Sequence, residues 1–248
     1  MGTNHRLQFY SPASDAPCFE PTAIALAAGR IREPLHLIRD GDNGPLGVSF
    51  GGEMTSHTSR YVWQGQFPAL YPEWLGDRTF TETHGLRFPY VAGEMANGIA
   101  TVEMVVAMAR AGMLGFFGAA GLSIQNVDAA ISEINAKLGT DANAPAWGSN
   151  LIHSPADPLL EDALVDLYLR RGVRRICASA YMGLTPAVVR CAVAGIHRST
   201  DGRIVRRQHL FAKGSRVEVA ESFMRPAPTA MLQALVRSKT LTASEAAF

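Results

Sequence analysis

Apolar and polar positions change rhythm along this chain. From Phe88 onward, short apolar runs alternate with stretches whose apolar residues recur every three or four positions, and the breaks fall at glycines or capping residues. The runs at 88–92, 113–117, 146–152, 173–180 and 210–213 predict strands. Thr101 is placed to cap a helix reaching residue 111, with Glu103 in its positive first turn and Gly112 behind it. Ser123 opens a helix whose Ile124, Val127, Ile131, Ile134 and Leu138 fall on one stripe, ended by Gly139. Pro158 opens another, ended by Gly172, and Thr185-Pro186 starts a shorter one. Asp201-Gly202 predicts a hairpin with arms at 192–197 and 203–206, and further helices are expected at 216–224 and 228–237.

A strand–helix alternation of this kind builds an α/β fold, a parallel sheet covered by helices. Four to five units are visible in the sequence, where a closed (β/α) barrel needs eight and a doubly wound sheet about five. Residues 1–85 read differently. Their periodicity is poor, with short strand candidates at 35–38, 47–50 and 61–63 and one helix at 21–28 ended by Gly29. We therefore expect an accessory subdomain at 1–85 and a barrel-type domain at 86–248. Near the C-terminus, Thr242 and Glu245 have the spacing of a capping box that starts a helix. This start signal beside Phe248 leads us to expect a chain that stops within its fold, leaving the barrel partial.

Composition narrows the function classes. Of 248 residues, 47% are hydrophobic and 18% charged, with a net charge of +1. That is enough apolar material for a core and too balanced a surface for general nucleic-acid binding. The three cysteines lie in no CxxC or zinc-ligand spacing, so a reducing, cytoplasmic setting is expected. No apolar run approaches the roughly 20 residues that span a bilayer.

In parallel α/β folds, ligands bind at the C-terminal ends of the strands, which directs attention to four loops. The first holds Gly93, Met95 and Ala96; its small residues would let backbone lie close to a flat ligand or simply form a tight turn. The second, at 118–121, offers the same two readings. The third holds Asn150, a polar residue at the end of an apolar strand that must find hydrogen-bond partners in a ligand or in the backbone, and His153, a proton donor or a helix cap. The fourth holds Lys213, which either meets an anion or reaches solvent at the rim. No GxSxG elbow, phosphate loop, GxGxxG or HExxH occurs.

Five segments carry a resemblance. Phe88-Pro-Tyr-Val-Ala-Gly-Glu-Met-Ala-Asn-Gly-Ile-Ala100, Arg110-Ala-Gly-Met-Leu-Gly-Phe-Phe-Gly-Ala-Ala-Gly121, Gly148-Ser-Asn-Leu-Ile-His-Ser-Pro155, Asp166-Leu-Tyr-Leu-Arg-Arg-Gly-Val-Arg-Arg175 and Ala212-Lys-Gly-Ser-Arg-Val-Glu-Val-Ala220 resemble the PfaD family. These are the trans-acting enoyl reductases of polyunsaturated fatty acid and polyketide synthases, akin to the flavin-dependent nitronate monooxygenase (2-nitropropane dioxygenase) barrels. The resemblance covers roughly residues 60–248. It implies a TIM barrel that binds FMN, takes hydride from NADPH and reduces an enoyl thioester on an acyl carrier protein. It also implies that Gly93, Met95 and Ala96 lie under the isoalloxazine, that Asn150 and Lys213 contact the flavin, and that His153 lies near the same mouth as the catalytic residue. The family's GGHTDNR-like segment and its phosphate-binding glycine loops have no counterpart here. The expectation is therefore that this chain alone binds FMN weakly or not at all. Two other readings stay open: nitronate monooxygenase chemistry, and an inactive partial barrel serving as a docking subunit.

Overall fold

A computed structural model of the chain describes residues 8–248, which divide into two compact units between Leu75 and Gly76. The first unit is an antiparallel sheet of β1 (Phe9–Ser11), β2 (Leu35–Asp40), β3 (Leu46–Phe50), β4 (Glu53–Thr55) and β5 (Tyr61–Phe67), in the order β3-β2-β5-β1-β4. Helix α1 (Pro21–Ala27) lays Ile24 and Ala27 against Val48 and Phe50 of β3. Strands β1 and β4 have three residues each, too short for any alternation to show in sequence.

The second unit begins with α2 (Arg78–His84), which Asp77 caps and a left-handed Gly85 ends. The boundary falls at 75/76 rather than at 85/86 because α2 packs with the second unit. Its Phe80 and His84 rings lie 6.2 and 5.1 Å from that of Phe211. Then come β6 (Val91–Gly93), α3 (Val102–Arg110), β7 (Leu114–Phe117), α4 (Ile124–Leu138), β8 (Trp147–Ile152), α5 (Pro158–Arg171), β9 (Arg175–Ser179) and α6 (Pro186–Val193). A hairpin of β10 (His197–Arg198) and β11 (Ile204–Val205) leads into β12 (His209–Ala212), α7 (Val217–Met224) and α8 (Thr229–Arg237). The hairpin arms are shorter than the sequence suggests, because Ala192 and Val193 finish α6 instead. The caps at Thr101, Ser123 and Thr185 form as expected. So does the capping box: Thr242 N donates to Glu245 Oε2 at 2.7 Å, and Glu245 N to Thr242 Oγ1 at 3.2 Å.

The five long-range strands of this unit are all parallel and run β12-β9-β8-β7-β6. Each pairs with the strand of this sheet that precedes it in the chain, with no reversal of order. That is barrel winding; a doubly wound sheet would switch direction midway. Side chains alternate between two faces. Phe117, Leu151, Ile176 and Ala178 point to the outer layer, where α3 to α6 supply Val105, Val127, Ile131, Leu164 and Val188. Leu114, Phe116, Cys177 and Phe211 point to the other face, where Phe80 and Leu86 cover them. That inner face is concave. Three strand spacings separate β7 from β12, about 14 Å if flat, yet the Phe116 and Phe211 rings are 5.2 Å apart. The sheet is thus a curled, open segment of a TIM-type barrel, with no β6–β12 pairing among the described residues.

Two buried polar groups lead to measurable expectations. The Tyr168 hydroxyl, fully buried on α5, donates to Asn150 O at 2.6 Å and lies 3.0 Å from Ser149 Oγ. Tyr168→Phe is expected to cost about 1–2 kcal/mol and to lower the midpoint in a thermal melt by several degrees. His84 is 7% exposed with Nδ1 unpartnered, and burial, then His209 and Arg175, push its pKa down to about 4. The unfolded chain holds that proton up to a pH of about 6.5. Stability is therefore full above that pH and falls as pH drops toward 4, by up to about 3 kcal/mol. Melts from pH 7 to 4 are expected to show this loss, and His84→Phe, which keeps the ring contacts, is expected to flatten it.

Candidate active site

The concave face ends, at the C-terminal edge of the sheet, in a polar cluster. Asn150 lies on this face of β8, 2% exposed. Its Nδ2 donates to Ser179 Oγ, at the end of β9, at 2.7 Å, and makes longer contacts of 3.4 Å to Glu94 Oε2 and Cys177 O. Its Oδ1 is buried with no partner. Glu94 follows β6, and its Oε1 lies 3.1 Å from Lys213 Nζ, which follows β12. These two strands are the edges of the five-stranded sheet, about 19 Å apart if it were flat. The ion pair therefore closes the curl at this end and joins three of the four loops.

The backbone here is held in costly conformations. Glu94 and Asn97 adopt φ values of 55° and 56° after β6, and Ala180 adopts 62° after β9. Left-handed non-glycine residues cost energy and cluster where surrounding structure fixes them for function. The loop after β6 is zipped to the loop after β7: Glu94 N donates to Phe116 O, Asn97 N to Ala120 O and Gly98 N to Gly118 O, at 2.7–2.9 Å. The small residues have a packing reason. A side chain at Gly93 would meet Phe116 O at 2.2 Å, and one at Gly121 would meet Asn97 Oδ1 at 2.1 Å. Both glycines serve loop packing. Met95 and Ile99 remain exposed, at 48% and 64%, and Ala96 is half-buried.

Cys177 sits under the cluster. Its thiol is pushed up by burial first and by Glu94 next, with Lys213 only partly opposing. It stays a thiol and offers no nucleophile.

Gly93, Met95, Ala96, Asn150 and Lys213 are thus brought to one mouth, and His153 is set apart from them. His153 follows β8 with the parity of the outer layer. Its Nδ1 is 3.1 Å from Glu161 Oε2, and its ring stacks on Tyr181 at 5.0 Å. Glu161, 3% exposed, also accepts from Ser154 N and from Thr185 Oγ1. Glu94, Ser179 and Glu161 were not singled out by sequence reasoning. The demand of Lys213 for an anion was a usable signal for Glu94, but the sequence does not show that the edges of the sheet curl together.

Among the described residues, no group of three His, Cys, Asp or Glu is placed to hold a metal, and no helix is long and apolar enough to cross a membrane. A flat heteroaromatic cofactor does fit the residues present. Asn150 offers a buried acceptor without a donor, Lys213 a cation at the rim, and Met95 an exposed apolar surface.

No protein-family model matches the chain. It is 42% identical over 198 residues to one of the proteins that make up the polyunsaturated fatty acid synthase of a Thraustochytrium species, across 79% of this chain and 13% of that protein. It is 43% identical over 174 residues to the polyketide biosynthesis protein PksE of Bacillus subtilis, across 70% of this chain and 22% of that one. The chain thus spans less than a quarter of these relatives. Among solved structures, the enoyl reductase domain of MlnA, from the macrolactin cluster of Bacillus amyloliquefaciens, matches with a TM-score of 0.66 and 35% identity, over 70% of this chain and 39% of that one. Relatives and fold agree with the resemblance read from the motifs: the chain is homologous to part of proteins of polyunsaturated fatty acid and polyketide biosynthesis and shares the fold of a solved enoyl reductase domain at 35% identity.

Proposed function

We propose that the mouth at the strand ends holds the ring of FMN and reduces enoyl thioesters carried on the acyl carrier protein of a fatty acid or polyketide synthase, with NADPH as the hydride donor. The observation that carries this reading is the buried, unpartnered Asn150 Oδ1 beside the Glu94–Lys213 ion pair. The 35% identity to a solved enoyl reductase domain supports it. Bound flavin would supply reversible hydride transfer.

The chain's own residues would do the rest. Asn150 Oδ1 would accept a ring N–H, and Ser179 and the buried strand fix its amide. Glu94 holds Lys213 at the rim, where its ammonium would favour the ring carrying negative charge. Met95 and Ile99 would cover an apolar face and exclude water. His153, held by Glu161 at 3.1 Å from its Nδ1 on the outer-layer side, takes no part in this reading. Lys213→Met tests the electrostatic part. It is expected to lower the rate of NADPH-driven reduction of a crotonyl thioester on a carrier protein by about 10²-fold, the scale for one preorganised charge, in a variant whose circular dichroism spectrum shows it folded. An unchanged rate would remove Lys213 from the site.

A further inference from the structure

The opposite end of the same sheet holds a second cavity, of about 520 Å³, within the size range of small-molecule sites. Arg171 at the end of α5, Arg174 and Arg175 entering β9, and Arg206 and Arg207 entering β12 all line it, together with His209. The parallel register sets His209 opposite Arg175, which gathers these charges at one place.

Little on the chain neutralises them. Arg171 Nε is paired with Asp128 Oδ1 at 2.8 Å. Among the described residues, the Arg207 side chain donates only to Leu169 O and that of Arg175 only to His84 O, at 3.4 and 3.1 Å. The side chains of Arg174 and Arg206 make no hydrogen bond or ion pair among the described residues; the Arg174 carbonyl accepts from His209 N at 2.7 Å. Arg175 Nε is buried without an acceptor. The one lining carboxylate, Asp141, takes its own loop's Asn143 N at 2.8 Å. Burial first, then Arg174, pulls the pKa of Arg175 down, and burial followed by Arg175 pulls down that of His209. Among the described residues, positive charge at this cavity outweighs the acidic groups that meet it.

We propose that this cavity is a binding site for a diphosphate group, in inorganic pyrophosphate or in a nucleoside diphosphate. Guanidinium forks match phosphate oxygens two at a time. Several forks around one cavity favour a ligand with several adjacent anionic oxygens over a single small anion. Trp147 and Pro145 give one wall an apolar surface on which an organic moiety can lie. The site is distinct from the mouth. Arg175 opens β9 and Ser179 closes it, so about 13 Å of strand separates the two. It does not depend on the flavin reading.

Calorimetric titration of the full chain with pyrophosphate, with ADP and with sulfate at about 0.15 M salt tests this. Both diphosphates are expected to bind at least 10-fold more tightly than sulfate, and Arg174→Gln/Arg206→Gln to weaken them at least 10-fold. Both arginines are exposed, so the circular dichroism spectrum is expected to stay unchanged. The Lys/Lys variant, which keeps charge without the fork, is expected to fall between. Tighter binding of ADP than of pyrophosphate would assign the organic moiety to the Trp147 wall; equal affinity would mean that the diphosphate alone is read. The proposal is overturned if neither diphosphate binds at millimolar concentration, if sulfate binds as well as they do, or if the Gln/Gln variant binds them like wild type.

Discussion

A Gly118→Ala variant is expected to lose about 3–5 kcal/mol of stability, at the severe end for one methyl group. The added Cβ would fall 1.8 Å from Met95 O and 2.8 Å from Met95 C. Those atoms are backbone, and no rotamer change relieves the clash. Both sides are pinned: Met95 O accepts from Ala100 N at 3.1 Å, Gly118 O accepts from Gly98 N at 2.9 Å, and Gly118 N donates to Ala100 O at 3.1 Å. Making room means separating the two loops and breaking the contacts that hold Glu94 and Asn97 in the left-handed region. At about 2–4 °C per kcal/mol, the thermal midpoint should fall by roughly 10 °C or more. Gly183→Ala is the control, because a Cβ there meets nothing within 4 Å and its φ is ordinary; it should melt like wild type. Equal melts for both variants would show that the two loops are not packed together as described.

Asn150→Leu is expected to separate binding from folding. Leucine fills the buried space but removes both the Oδ1 acceptor and the hydrogen bond to Ser179 Oγ. Loss of that bond costs the free protein about 1–2 kcal/mol. FMN loses more. A ring N–H enters a buried position with nothing to accept it, and an unmet donor costs about 1–3 kcal/mol, or roughly 10–100-fold in affinity. Equilibrium titration by flavin fluorescence checks this. Unchanged affinity in a folded variant would place the flavin elsewhere.

The fold of the second unit was largely legible in its sequence, because helix caps and strand alternation are local signals. Thr101, Ser123 and Thr185 cap where their neighbours require it. Helix α2 escaped notice because its seven residues carry only Phe80 as a large apolar anchor, and the Asp77 and Gly85 signals flank an otherwise polar segment. The strands β1 and β4 are pinned only by pairing with distant segments. The candidate site was half legible. Asn150 and Lys213 could be found as polar residues at apolar strand ends. Glu94 could not, because its role depends on the curl that brings its carboxylate within 3.1 Å of Lys213 Nζ from the opposite edge of the sheet. Glycines 93 and 121 read equally well as ligand-facing or packed, and the positions of Phe116 O and Asn97 Oδ1 supply the packing reason. Arginines 171, 174 and 175 carry no local sign of a site, since nothing in their own segment shows that Arg206 and Arg207 arrive beside them.

The most direct measurement is a titration of the folded 248-residue chain with FMN, wild type beside Asn150→Leu, followed by flavin absorbance and fluorescence. If the mouth provides ring contacts, wild type should saturate at one FMN per chain with a dissociation constant of order 10 µM, about −7 kcal/mol, and the variant should bind at least tenfold more weakly. A folded wild-type chain that takes up no FMN at several hundred micromolar, or a variant that binds as well as wild type, would contradict the assignment of this mouth to a flavin.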